Sequence, residues 1–230
     1  MKAIMIALIS LITLTLGCAG LPQESSQSPN PARIIELPEP QLRGDISLEE
    51  TLFKRRSVRE YSTASLSLEE VSQLLWAAQG ITAGWGGRTA PSAGGTYPLE
   101  IYLVVGRVDE LSPGVYKYRP DGHQLREIVS TDVQTEVAKV VLDQVWVRDG
   151  AIVIIIAAVF ERTTGKYGER GRNYVYIEAG HAAQNILLQA TALDLGAVPV
   201  GAFEDGKLKQ ITGMADDEVP LYVIPAGRKI

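Results

Sequence analysis

Chemistry is concentrated in three short segments. Arg55-Arg56-Ser57-Val58-Arg59 puts three guanidiniums and a hydroxyl within five residues. Guanidiniums keep their charge and present forked donors, so this spacing suits a phosphate or the electron-rich edge of a ring. It equally suits a solvated helix end, where cations meet the helix dipole favourably. Pro91-Ser92-Ala93-Gly94-Gly95-Thr96-Tyr97-Pro98 offers small side chains and free amides that let a flat ligand approach the backbone, although ordinary glycine-rich connections share this composition. Lys166-Tyr167 sets an amine beside a phenol at the start of the run to Arg172. The two can exchange protons with a substrate if burial draws them toward neutrality; by composition the run also reads as an exposed charged loop. His181 reads as a satisfied helical histidine and His123 as a turn residue. With Cys18 far ahead of the rest, no Ser/His/Asp or Cys/His set presents a nucleophile.

The elements that must hold these segments can be read from periodicity. Ser47-Leu48-Glu49-Glu50 and Ser67-Leu68-Glu69-Glu70 are capping boxes, each opening a helix. In the first, Leu48 and Leu52 share a face; in the second, Val71, Leu74, Leu75 and Ala78 do, and Gly80 ends the run. Gly84 to Gly95 is a loop. Leu99 to Val105 predicts a strand, and Val115 to Arg119 with Gln124 to Val129 predicts a hairpin closed by Pro120-Asp121-Gly122-His123. Thr131 is placed to cap a helix reaching Leu142. The apolar run from Ala151 to Phe160 suits a strand covered on both faces. After a polar loop, Tyr174 to Leu195 predicts the longest helix, whose stripe of Ala179, Gly180, Ala182, Ala183, Ile186, Leu187 and Ala190 allows close packing, including against a second subunit. Ala197 to Phe203 and Leu221 to Ala226 predict two more strands around a short helix near Lys207 to Ile211. This order describes a single α+β domain beginning near Asp45.

Composition narrows the function classes. The 230 residues are 46% hydrophobic and 21% charged, which excludes a disordered chain, a collagen-like repeat and a multi-pass membrane protein. A net charge of -5 argues against a sequence-independent nucleic-acid binder. One cysteine and two histidines leave no intrachain disulfide and no cysteine zinc site, so no metal centre is expected. The glycine patterns of dinucleotide-binding and P-loop domains are absent, so a Rossmann domain is not supported.

Residues 1–18 are laid out as a signal peptide: Lys2, an apolar run from Ala3 to Leu16, then Thr15-Leu16-Gly17-Cys18. The run is short for a membrane span. Its end resembles a bacterial lipobox, with Thr15 where leucine is usual. This reading makes Cys18 a lipid attachment point and places the protein outside the cytoplasmic membrane; an uncleaved anchor, an ordinary signal and a buried helix are the alternatives. Residues 19–44, rich in Pro, Ser, Gln and Asn, read as a flexible linker.

Taken in order, the segments resemble the flavin-dependent nitroreductase superfamily and, within it, the SagB/ThcOx-type dehydrogenases. The likeness runs from Leu48 to Lys229 through Arg55-Arg56-Ser57-Val58-Arg59-Glu60-Tyr61, Leu74 to Thr82, Arg88 to Gly95 with Tyr97-Pro98-Leu99-Glu100, Gly114 to Tyr118, Lys166-Tyr167-Gly168, Glu178 to Asn185 and Pro225-Ala226-Gly227-Arg228. The resemblance implies a central mixed β-sheet flanked by helices and an FMN-binding homodimer with the flavin at the subunit interface. It implies that Arg55, Arg56 and Arg59, assisted by Ser57, hold the phosphate and pyrimidine edge. Pro91, Ser92, Ala93 and Gly94 would line the cofactor, Pro199, Val200, Gly201 and Ala202 would pass near flavin N5, and Gly227 and Arg228 would return to the phosphate. Gly95 stands where many nitroreductases have asparagine, as in the SagB/ThcOx branch. Lys166-Tyr167 matches the pair that serves substrate oxidation in azoline-oxidising members. The implied activity is hydride transfer between FMN and a small molecule or peptide azoline, with NAD(P)H as a possible electron donor; a non-catalytic flavin-carrying lipoprotein is the alternative.

Overall fold

The computed structural model describes residues 33–230; the signal-like segment, Cys18 and the linker as far as residue 32 lie outside the described residues. In chain order the elements are β1 (Ile34–Glu36), α1 (Leu48–Lys54), α2 (Leu68–Gln79), a 3-10 turn (Ala93–Gly95), β2 (Leu99–Val105), β3 (Gly114–Arg119), β4 (Gln124–Val129), α3 (Gln134–Val140), α4 (Val145–Asp149), β5 (Ile152–Ala158), α5 (Glu161–Tyr167), α6 (Arg170–Ala192), β6 (Leu195–Ala197), α7 (Asp205–Thr212) and β7 (Val219–Arg228). The strands form one seven-stranded sheet in the order β1-β4-β3-β2-β5-β7-β6. β5 is central and every one of its residues is buried, as its unbroken apolar run requires.

The sheet is not mixed as expected. All its strand pairs are antiparallel, and parallel pairing is confined to isolated bridges such as Ser57 with Ala197. One face carries Leu99, Ile101, Leu103, Ile152, Ile154 and Ile156 against α2 and α6; the other carries Tyr102, Val104, Val153 and Ile155 against α3, α4 and α7. Period-2 alternation along β2 and β5 therefore feeds two cores from the same strands.

The fold begins before Asp45. Ile34 to Glu36 pair with Arg126 to Gln124, and Leu37 is buried, so part of the expected linker belongs to the sheet. Two adjacent β-branched residues suffice once β4 offers an edge. A buried knot fastens this segment: Ser72 Oγ donates to the Pro38 carbonyl at 2.5 Å and lies 2.7 Å from His123 Nε2, while Tyr118 Oη lies 2.8 Å from His123 Nδ1.

The capping boxes differ. At α2 both bonds form: Ser67 accepts from the Glu70 amide and Glu70 accepts from the Ser67 amide. At α1 only the Ser47 bond is made, because Glu50 turns to Lys54 instead, and Leu48, Leu52 and Phe53 face outward. α3 starts at Gln134 rather than at Thr131, since Asp132 Oδ1 accepts the Gln134 amide and Gln134 Nε2 reaches the carbonyls of Val147 and Gly150. The small-residue stripe of α6 packs within its own chain. Tyr176, Ile177 and His181 are exposed on the same helix.

Candidate active site

The arginine segment follows α1 and is drawn to the β6–β7 edge of the sheet. The Val58 amide donates to the Ala197 carbonyl at 3.1 Å, and the Ser62 amide to the Arg228 carbonyl at 2.9 Å. Pro199 to Ala202 continues along β7, the Val200 amide donating to the Val223 carbonyl. These segments bring Arg55, Arg56, Ser57 and Arg59 into the neighbourhood of Pro199, Val200, Gly201 and Ala202. Among the described residues none of Arg55, Arg56 or Arg59 forms an ion pair with a carboxylate. Arg56 Nη1 donates to the carbonyls of Phe53 and Arg55, and the Arg59 guanidinium lies 5.5 Å from the Trp146 ring. Guanidiniums within five residues of one another and without a carboxylate partner favour an anion.

Gly227 and Arg228 join this group at the end of β7 and have contacts of their own. Gly227 is buried, and a Cβ there would meet Tyr61 and Ala151 at 3.2 Å, so close strand packing already favours a glycine at this position. Arg228 is engaged: Nη2 pairs with Glu70 at 3.0 Å and Nε donates to the Ser65 carbonyl at 3.1 Å, tying β7 to the cap of α2.

Lys166 and Tyr167 do not lie in a loop. They end α5, and Gly168, with φ of 57°, separates it from α6. The polar residues read as a loop are the exposed side of two consecutive helices. Lys166 Nζ donates to the Gly94 carbonyl at 3.1 Å, so the amine and phenol are seated against the Pro91–Gly95 loop. Gly94 has φ of 61°, and a Cβ there would lie 2.6 Å from Lys166 Nζ and clash with Tyr167 Oη. The left-handed backbone favours glycine, and a larger residue would also displace the ends of the Lys166 and Tyr167 side chains. Ser92 Oγ accepts from the Tyr97 amide at 2.9 Å and closes the turn. Lys166 is exposed and Tyr167 half-buried.

Sequence reasoning missed Glu178. It is 3% exposed, and its Oε1 has no hydrogen-bond partner. Burial raises its pKa to about 7, against the opposing pull of the Ser92 hydroxyl and the Arg88 guanidinium. Arg88 itself donates to Gln79 Oε1 at 2.8 Å and lies 4.5 Å from the Tyr97 ring. A signal existed: Glu178 sits three residues after Val175 and four before Ala182, on the apolar side of α6.

The two groups occupy different regions. Ser57 bridges Ala197, which pairs with Ala226, which in turn pairs with Ile152 at one end of β5. The Pro91–Gly95 loop precedes Leu99, and Leu99 pairs with Ala158 at the other end. Six residue steps of about 3.3 Å place these levels about 20 Å apart. A groove of about 410 Å³ between α1, α2, α6 and the segment from Gln41 to Ile46 contains residues of neither group. The described residues contain no cluster that could hold a metal ion and no helix long and apolar enough to cross a membrane.

Comparison with known proteins matches residues 52–228 to the model of the Nitroreductase family. The chain belongs to that family. MJ1384 of Methanocaldococcus jannaschii, named as a nitroreductase, is 48% identical over 196 residues, covering 85% of this chain and 96% of that protein. The trifolitoxin operon protein TfxC of Rhizobium leguminosarum bv. trifolii is 28% identical over 76% of this chain and 54% of its own length. Among solved structures, a nitroreductase-like protein of Ralstonia eutropha JMP134 superposes with a TM-score of 0.74 at 29% identity, over 86% of this chain and 90% of that one. The fold alone is shared with a chain of the E. coli microcin synthetase McbBCD complex bound to truncated pro-MccB17, with a TM-score of 0.67 at 22% identity over 81% and 74% of the two chains. It is likewise shared with the Vibrio harveyi NADPH:FMN oxidoreductase complexed with NAD+, with a TM-score of 0.57 at 18% identity over 79% and 68%.

Proposed function

We infer that this nitroreductase-family protein is an FMN-dependent oxidoreductase acting as a homodimer, each flavin held between the arginine group of one chain and the Pro91–Gly95 loop of the other. The observation that carries this reading is the run of Arg55, Arg56 and Arg59 without a carboxylate partner among the described residues, in a chain with 27 acidic residues. Such a set fits a phosphate dianion. Gly201 fits the group as well, since a Cβ there would meet nothing within 4 Å and its backbone is open to a ring. The two groups are anchored at opposite ends of β5, about 20 Å apart along the strand, which supports completion of the site by a second copy. The NADPH:FMN oxidoreductase among the neighbours supports both flavin and a nicotinamide donor.

Bound FMN would supply the hydride acceptor or donor, and the protein's own residues do the rest. Arg55, Arg56 and Arg59 neutralise the phosphate and the charge of the reduced ring, and Ser57 adds a hydroxyl. The backbone from Pro199 to Ala202 presents amides. Arg228, committed to Glu70, acts as a strut holding the end of β7 rather than as a main phosphate ligand. Lys166 or Tyr167 takes the proton from a substrate whose C–H bond yields the hydride, and the Gly94 carbonyl orients the lysine.

Peptide-azoline oxidation of the SagB/ThcOx type is supported by the likeness to TfxC and to the microcin synthetase chain, and reduction of a small molecule by the likeness to MJ1384. Lipidation at Cys18 would place the site outside the cytoplasmic membrane, with FMN acquired after export. That location favours a small-molecule substrate over a cytosolic precursor peptide.

The test is the visible spectrum of the purified chain. A yellow protein bleached by NADH or NADPH and recoloured by an acceptor supports the enzyme; a yellow protein inert to every donor supports a flavin carrier; a colourless one that FMN does not stabilise overturns both. Arg55→Ala should weaken FMN binding about 10- to 100-fold, the worth of one charge-assisted hydrogen bond.

A further inference from the structure

The end of α2, the segment after it, β2 and the β3–β4 turn enclose a second cavity, of about 220 Å³, whose walls include none of the residues assigned to the flavin or to proton transfer. Two of its polar residues form a pair. Arg88 Nη1 donates to Gln79 Oε1 at 2.8 Å, which leaves the other amide atom of Gln79, Nε2, as a donor. That donor is buried and has no partner, in a side chain with 0% exposure. Arg88 is half-buried, lies over the Tyr97 ring and forms no ion pair among the described residues. Burial lowers its pKa, opposed by the charges of Glu100, Tyr97 and Glu178. A guanidinium and an amide both withdrawn from water and short of acceptors are costly in a fold. An acceptor entering the cavity they share would satisfy both.

The other walls select the acceptor. Leu99 and Ile101, each 2% exposed, add apolar surface. Among the charged residues that line the cavity, Arg88, Lys117 and Arg119 stand against Glu100 and Asp121, which leaves one net positive charge. Glu100 is already engaged by Lys117 and Arg162. A single negative charge is therefore balanced, whereas the second charge of a phosphate would meet Asp121 with nothing to offset it. A planar acceptor with two oxygens matches the fork of a guanidinium. The volume has room for about seven groups the size of a water molecule. We propose that this cavity is a binding site for a small monocarboxylate, whose oxygens accept from Arg88 and from Gln79 Nε2 and whose short hydrocarbon tail lies against Leu99 and Ile101. The site goes beyond the flavin reading and does not depend on it.

The test titrates sodium butyrate into the full chain, with sodium chloride at equal concentration as the reference, and follows the backbone amides by heteronuclear NMR. In the wild type the signals of Ile81, Arg88 and Tyr118 should shift saturably, and those of Val58 and Val200, beside the arginine segment, should not. Butyramide, which keeps the shape without the charge, and inorganic phosphate should each bind at these residues at least about tenfold more weakly. Arg88→Gln should weaken butyrate binding about 10- to 100-fold, the worth of one charge-assisted hydrogen bond. Gln79→Glu, which gives Arg88 a carboxylate within the chain, should weaken it at least as much, and Arg55→Gln should leave it unchanged. The absence of a saturable shift in the wild type overturns the site. So do butyramide or phosphate binding as well as butyrate, and shifts that centre on Val58 and vanish in Arg55→Gln. Because the mapping is made on the wild type, a variant that fails to fold does not shelter the proposal. Failure to bind FMN would overturn the flavin reading and leave each of these outcomes as it stands.

Discussion

At Gly94 a single hydrogen atom decides whether Lys166 and Tyr167 can sit where they do. Replacing it with a methyl in left-handed backbone costs about 1–2 kcal/mol. Gly94→Ala should therefore lower the melting temperature by roughly 2–8 °C. Gly201→Ala, where a Cβ meets nothing within 4 Å, should leave it unchanged in the same calorimetric scan. Equal losses at both positions would show that the close approach to Lys166 does not constrain the loop. The arginines and the Lys-Tyr pair were legible because dense charge and adjacent functional groups are visible in local sequence. Glu178 was not, because a lone glutamate in a helix normally reads as solvated. It is buried only once α6 packs into the fold, and the groups that act on its charge, Ser92 and Arg88, are remote in sequence. Gly227 shows the converse: its place in a familiar motif suggested contact with a ligand, whereas its neighbours are Tyr61 and Ala151.

Elements with a strong local signal were read well and those created by tertiary pairing were not. The apolar run of β5 and the box at Ser67 announce themselves. Ser67→Ala should cost about 1 kcal/mol, the usual worth of an N-cap. The expected drop is about 2–4 °C. Ser47→Ala should cost less, because α1 carries only half the box and ends in solvent. Thermal unfolding followed by circular dichroism checks the ranking, and a larger loss at Ser47 would contradict it. β1 was missed because its three residues lie among prolines and gain their partners only when the β3–β4 hairpin is formed. α5 was missed because Gly165 and Gly168 flank the site pair and suggest a loop, although Gly168 is the residue that ends the helix. Both errors come from competition between local propensity and long-range contacts.

At the scale of the whole molecule, the α+β class follows from the order of elements, but the strand order requires pairings between distant segments that composition does not encode. That order is what separates the arginine group from the Lys166 group. Outward apolar residues accompany the separation: Phe53 on α1 is 77% exposed and Ile177 on α6 is 53% exposed. If these faces meet a second copy, Ile177→Asp should yield a monomer by light scattering that has also lost its yellow colour. A monomer that keeps FMN would refute the shared site. The knot of Ser72, His123 and Pro38 has a mechanical meaning once the chain is thought of as tethered through Cys18. Tension arriving from residue 32 would be carried by the three β1–β4 pairs and by the Ser72 bond to Pro38, then spread into α2 and the β3–β4 hairpin. None of these bonds is made by the arginine segment or by Lys166, so a pull on the anchor would reach them only at second hand, through α2 and the Glu70–Arg228 pair at its cap.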